Sequence, residues 1–265
     1  MTAAFAIPGP RAPFVQRAGW LSAHAPVGGV RRIATRPEAA VVASPPPART
    51  VLAITSRPGK ESADLGGLLH MFHTSGARVA LLCLTRGEAS ELNPTTQRLE
   101  VLRPRELQLA AGLLGVSSIA VADYPDGELS RYPTLELTER VQRAITEHTP
   151  DLILVVDPAI GDADDAEVAR AACMAAESAG VPVAARTWLG ARSGWRVGLG
   201  SDAAAARAVQ RSAVAAHASQ ADALTEVRRR LDFLGDQEQL RWLLAPDSGQ
   251  GAREFVPRCR VPVAN

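Results

Sequence analysis

The chain predicts a three-layer α/β fold, a mainly parallel sheet between two layers of helices. Three observations lead there. Short, almost wholly apolar runs recur from residue 51 to residue 186, as strands buried on both faces of a parallel sheet require. Helical stretches separate them, two stopped by glycine and one by proline. Runs and helices alternate, the pattern of strand–helix–strand units with crossover connections.

Each element follows in order. VLAIT (residues 51–55) reads as a buried strand, RPGKES as a turn, and residues 63–74 as a helix closed by Gly76. ARVALLCLT (77–85) is a second strand, leaving into the polar loop RGEASELNPTTQ. Residues 98–114 are helical and stop at Gly115; SIAVAD (118–123) is a third strand with YPDGEL as its exit. A helix over 135–148 ends before Pro150, and DLILVVD (151–157) is a fourth strand. PAIGDADD then leads into a helix to about residue 179, and VPVAAR is a fifth strand. Residues 1–48 carry PGP, RAP, GG and PPP punctuation, too little apolar surface to offset ordering entropy. They are expected to be an extension, with Phe14 and Trp20 as anchors, ahead of a single domain over residues 49–265.

Composition narrows the function. The 265 residues carry a formal charge of +1, without the cationic excess of a nucleic-acid or membrane-surface binder. No apolar run approaches the ~18 residues of a membrane span, and prolines interrupt the opening MTAAFAIPGPRAPF. Cys83, Cys173 and Cys259 are too few and scattered for a disulfide framework. The expectation is a soluble cytoplasmic protein; the oligomeric state, a homo-oligomer included, stays open.

In such sheets ligands bind beyond the carboxyl ends of the strands, here the loops 56–62, 86–97, 124–129 and 158–165. None holds GxGxxG, a P-loop or a GxSxG elbow. His70 and His73 are three apart on a helix but lack a third metal ligand. Asp162, Asp164 and Asp165 precede a helix; capping accounts for one or two of them. Of the 29 basic residues only Lys60 is a lysine, and it lies in the first of these loops.

Read together, these segments resemble the PIG-L (LmbE-like) superfamily of zinc-dependent N-deacetylases, which act on GlcNAc-type amides. The resemblance runs from about residue 51 to residue 256. SRPGKESADLGG stands where the family has AHPDDE, a spacer and GG, and it keeps Pro58, Glu61, Gly66 and Gly67. LTRGEAS (84–90) matches the TRGEA loop, RPRE (103–106) with AAGLLGV the RxxE helix, and YPDGEL the loop after it. HASQ (217–220) is similar to the H-x-SQ element and REF (253–255) to the closing E-x-F strand. The resemblance implies a Rossmann-like fold of the LmbE type.

It also implies what is changed. In the family the His and second Asp of HPDDE bind zinc, the first Asp is the general base, and a later HPDH supplies the third ligand. Here those positions read Arg57, Lys60, Gly59 and, within DADD, Asp165. Cationic arginine and lysine cannot ligate a metal, so no metal residue and no cofactor is expected, although zinc is the family's. The reading of this pattern is an ion cluster of Arg57 and Lys60 with Asp162 and Asp165, within the ~6 Å that ionic interaction allows.

Three functions remain open. The first is a metal-free pseudoenzyme binding a polar or anionic, sugar-like small molecule or a partner protein. The second is a metal-independent tailoring enzyme with Lys60 as base or nucleophile. The third is an amide hydrolase with a metal rebuilt on Asp126, Asp162, Asp164 and Asp165. Candidate binding residues are Arg57, Arg86, Glu88, Asp126, Asp162, Asp165 and His217, with Lys60 the catalytic candidate. Arg86 and Glu88 either line the pocket or pair with each other, and Glu61 is expected to support its loop.

Overall fold

A computed structural model of the chain describes residues 40–42, 45–89, 98–160, 162–187, 194–199, 202–221 and 225–246. Every described residue belongs to one compact unit. Within it the strands are β1 (Ala40–Val42), β2 (Thr50–Thr55), β3 (Arg78–Thr85), β4 (Ser118–Tyr124), β5 (Leu152–Val156), β6 (Val183–Arg186), β7 (Gly194–Gly198) and β8 (Gln237–Leu244). They form one sheet in the order β1-β7-β8-β6-β5-β2-β3-β4. Pairing is parallel except at β8, which runs antiparallel to both β6 and β7.

The helices are α1 (Lys60–Ala63), α2 (Gly66–Thr74), α3 (Leu99–Leu113), α4 (Thr134–His148), α5 (Ala163–Ala179), α6 (Ala203–Ala216) and α7 (Thr225–Phe233). Strand alternation sorts the core into two layers. Val51 and Ala53 of β2 point to the face covered by α2, α3 and α6, while Leu52 and Ile54 point to α4 and α5. Of these, the Val51, Leu52 and Ile54 side chains, wholly removed from water, each contribute about 1.5–3 kcal/mol. The fold is thus the three-layer, mainly parallel α/β sandwich that the sequence predicts. Among the described residues no helix is long and apolar enough to cross a membrane.

The elements over residues 50–186 lie where the apolar runs put them, with one difference. The single helix expected over 63–74 is two, α1 and α2, with Asp64 and Leu65 between them. Lys60 therefore opens a helix instead of sitting in a turn. Gly59 causes this: at φ 100° it swings the chain into α1, and its N–H donates to Glu61 Oε2 at 2.8 Å. Beyond residue 186 the sequence pattern is quieter. β8, QEQLRWLL, alternates only in the burial of its first half, with Glu238 and Leu240 buried and Gln237 and Gln239 half-buried, and β7 is a short GWRVG. The strand expected at 253–255 lies outside the described residues.

Candidate functional site

β2 and β5 are central neighbours, paired through Val51–Leu152 and Ala53–Leu154. Both point their carboxyl ends at one place, where residues 56–60 meet the start of α5. Asp162 is the N-cap of α5, its Oδ1 accepting the N–H groups of Asp164 (3.1 Å) and Asp165 (3.3 Å). That leaves Oδ2 free to face the β2 loop.

Lys60 fills the space between. Its Nζ donates to Asp165 Oδ2 at 2.6 Å and lies 3.1 Å from Asp162 Oδ2, which also receives Arg57 Nη2 at 3.0 Å. The second oxygen of Asp165 takes the Ser56 hydroxyl at 2.6 Å. Asp165 is 2% exposed, Lys60 15%, Asp162 21% and Arg57 34%. Burial alone would strip the proton from Lys60, but Asp165 and Asp64 outweigh it and hold its pKa above the ordinary lysine value. The Arg57 pKa is raised in the same way, chiefly by Asp162 and Asp126 against burial. Burial, with the like charge of Asp162, pushes Asp165 above the usual carboxylate range against the pull of Lys60.

The next loop packs alongside. Asp126 accepts from Thr85 Oγ1 (3.4 Å) and the Ala89 N–H (3.2 Å), and its own N–H donates to Glu88 Oε1 at 2.9 Å. Asp164 reaches across and accepts the N–H groups of Gly127 (2.8 Å) and Leu129 (3.1 Å). Of the three aspartates in DADD, one caps α5, one staples the neighbouring loop, and one holds Lys60. Arg103 donates to the Gly87 carbonyl, bracing the loop from α3.

Beneath α1 lies a second, wholly buried constellation. His217 Nε2 is 2.6 Å from Glu61 Oε1 and 3.3 Å from Ser62 Oγ, with the Glu61 and His217 side chains both 0% exposed. The Ser62 hydroxyl donates to the same Glu61 oxygen at 2.6 Å. Gln220 Nε2 lies 3.4 Å from His217 Nδ1 and donates to the Pro58 carbonyl at 3.2 Å. Burial by itself would raise the Glu61 pKa, but His217 and the Ser62 hydroxyl win and lower it. Further down, Glu238 accepts from Arg186 (2.9 Å) and from Arg207, whose Nη1 also donates to Gln210 Oε1 at 2.7 Å. Gln210 in turn donates to the Ser62 carbonyl at 3.0 Å. This polar ladder fixes α1 from below.

The structure brings Arg57, Lys60, Asp162 and Asp165 into one cluster, with Asp126 and Glu88 in the adjoining loop. His217 supports that cluster from beneath and is sealed from solvent. Arg86 turns away: it pairs with Asp123 at 2.5 Å and not with Glu88. Glu61 supports its loop as expected, through the Gly59 N–H. Sequence reasoning did not single out Ser56, Arg103, or the Arg186–Glu238–Arg207 group. A serine directly after an apolar strand is the only local signal for the first, and the last is assembled from three distant elements. Cys83 is buried within β3, where burial pushes its thiol pKa far upward.

A family model, PIG-L: GlcNAc-PI de-N-acetylase, matches residues 52–176. A Bacillus anthracis protein described as "Probable N-acetyl-alpha-D-glucosaminyl L-malate deacetylase 2" is 28% identical over 115 residues, 42% of this chain. The chain spans about half the length of that curated relative, 51% of it. Among solved structures, a triple mutant of a deacetylase from the teicoplanin biosynthetic pathway aligns with a TM-score of 0.62. It is 18% identical, over 75% of this chain and 100% of the other. The N,N'-diacetylchitobiose deacetylase of Pyrococcus horikoshii aligns at 0.57 and 20% identity, over 75% of this chain and 84% of its own. These two likenesses show the fold. Matched segment and relative agree with the architecture, and they support PIG-L superfamily membership for residues 52–176, the segment that the family model matches.

Proposed function

We propose that this chain is a PIG-L protein in which a fixed ammonium replaces the zinc centre. On this reading it works as a metal-free, cytoplasmic binding protein for an anionic, sugar-like small molecule, without deacetylase activity. One observation carries the reading: Lys60 Nζ stands between Asp162 and Asp165, at 3.1 and 2.6 Å. The donors present do not suit zinc. Two of the three positions that resemble its ligands are cations, and the third, Asp165, already holds Lys60 and Ser56. Nor are the neighbouring carboxylates spare, since Asp126 and Asp164 are committed to Thr85, Ala89, Gly127 and Leu129. Among the described residues no three His, Cys, Asp or Glu groups are disposed to hold a metal.

The same contacts argue against Lys60 as a free amine. A nucleophilic or basic lysine needs a depressed pKa, and these carboxylates act in the opposite direction. Arg57 is the most exposed member of the cluster, and a guanidinium engages carboxylates or phosphates through paired N–H donors. We therefore assign recognition of the anionic group to Arg57. The free thiols Cys83 and Cys173 suit a reducing compartment.

Two titrations test the reading. Zinc added to chelator-treated protein should leave the melting temperature unchanged, and one tightly held zinc per chain would overturn the metal-free assignment. D-Glucuronate and D-glucose, which differ in a carboxylate, should separate by calorimetry. Glucuronate should bind and lose its affinity in Arg57→Ala; equal behaviour of the two sugars would remove the role given to Arg57.

A further inference from the structure

The ion cluster is built in two tiers. Inside, Lys60 and the almost sealed Asp165 hold one another at 2.6 Å, and Ser56 takes the second oxygen of Asp165. Opening that pair would leave a buried charge without a partner, a far larger loss than opening an exposed pair. Outside, Arg57 reaches Asp162 Oδ2 at 3.0 Å with a side chain that is 34% exposed. Among the described residues Asp162 is its only ion-pair partner.

Asp162 is fixed in place. Its carbonyl accepts the Ala166 N–H at 3.1 Å, and its Oδ1 accepts the N–H groups of Asp164 and Asp165. Its Oδ2 has a second partner in Lys60 Nζ, at 3.1 Å. Arg57 is the movable member: its backbone is held between buried Ser56 and Pro58, and its reach comes from a long, half-buried side chain. The Arg57–Asp162 contact can therefore open and leave no buried charge alone. Asp162 keeps Lys60 and two amides, and Arg57 passes to solvent or to a ligand.

A guanidinium pairs in parallel with a carboxylate or phosphate through either of two edges, Nη1 with Nη2 or Nε with Nη2. Nη2 is common to both edges, and it is the atom that rests on Asp162 Oδ2. An oxyanion that takes either edge meets the Asp162 carboxylate there, as a rival and as a like charge. Given the assignment of anion recognition to Arg57, on which this rests, we propose that Asp162 is an internal competitor for the anionic ligand. It latches Arg57 in the empty protein, and the ligand binds by taking Arg57 Nη2 from it while the Lys60–Asp165 pair stays closed.

The experiment uses the full chain, titrated with D-glucuronate by calorimetry. Asp162→Asn and Asp162→Ser each keep an N-cap acceptor for α5 and remove the charge, and Lys60 retains Asp165 in both; circular dichroism confirms the fold. Each variant should bind about two- to sixfold more tightly than wild type, the gain expected when a partly exposed ion pair no longer holds Arg57 back. Binding detected in the variants alone is the same result at its limit. In an Arg57→Ala background neither substitution should raise the affinity. A wild type that binds as tightly as the variants overturns the competition and leaves the role of Arg57 standing. A gain that persists without Arg57 would mean charge repulsion at a distance and overturns it too. Absence of binding by wild type and variants alike would remove the role of Arg57 and the competition with it.

Discussion

Lys60 Nζ and Asp165 Oδ2 stand 2.6 Å apart at the carboxyl end of the central strands, and Asp165 is almost sealed from water. Neither charge is tolerable there without the other. Removing one partner of a buried pair strands its fellow and costs about 3–5 kcal/mol, whereas removing both is far less harmful. Lys60→Ala should therefore destabilise the chain by that order, and Lys60→Ala/Asp165→Ala by clearly less. Urea denaturation of the two variants and Asp165→Ala closes the cycle. Additive costs would mean that the two residues do not act as a pair.

The Glu61–His217 contact makes a separate statement about pH. The folded Glu61 pKa is depressed, so on acidification the unfolded chain takes up the proton first. The stabilisation is complete above the ordinary glutamate pKa of ~4.3 and is lost as pH falls through the folded value. His217→Gln should therefore cost most at neutral pH, with the gap to wild type closing in acid. Denaturation curves at several pH values measure that gap. A gap that stays constant down to acid unfolding would remove His217 as the cause of the shift.

The reach of the sequence follows physical lines. Strands buried on both faces announce themselves, and β2, β3 and β5 lie on VLAIT, ARVALLCLT and DLILVVD. The Arg57–Lys60–Asp162–Asp165 cluster was legible because opposite charges stood at positions that the resemblance had already brought together. Arg86 was not, because an arginine at a strand end has several acids in reach and only packing decides; Asp123 lay closer than Glu88. The start of α1 at Lys60 was hidden in the φ of Gly59, which no side-chain pattern reports. The Arg186–Glu238–Arg207 group joins β6, β8 and α6, elements whose adjacency appears only in three dimensions.

That group explains one of the retained glycines. A Cβ on Gly67 would lie 2.9 Å from both Arg207 Nη1 and Glu238 Oε1, inside the buried ion pair. Gly67→Ala should cost about 1–3 kcal/mol, the usual penalty of overpacking. In an Arg207→Ala/Glu238→Ala background both close contacts are gone, and the same substitution should cost much less. Melting temperatures of the four proteins decide this. Equal penalties in both backgrounds would point to backbone conformation instead of the ion pair.

The last prediction separates metal binding from catalysis. Arg57→His, Lys60→Asp and Asp165→His together remove both cations and install the donor types expected at those positions, two imidazoles and a carboxylate. The sheet and the α5 N-terminus that carry them are unchanged, so the triple variant should bind zinc. Binding would show as a rise in melting temperature with zinc concentration, since a ligand held only by the folded state stabilises it. It should still not hydrolyse N-acetylglucosamine amides, because position 59 has no base. Nor is a base easily supplied there: the backbone sits at φ 100°, and a Cβ would come within 3.0 Å of Gln220 Oε1. An aspartate at 59 would thus meet strain in the backbone and a collision with Gln220. A folded triple variant indifferent to zinc would show that the departure from the family lies in the shape of the site as well as in its side chains.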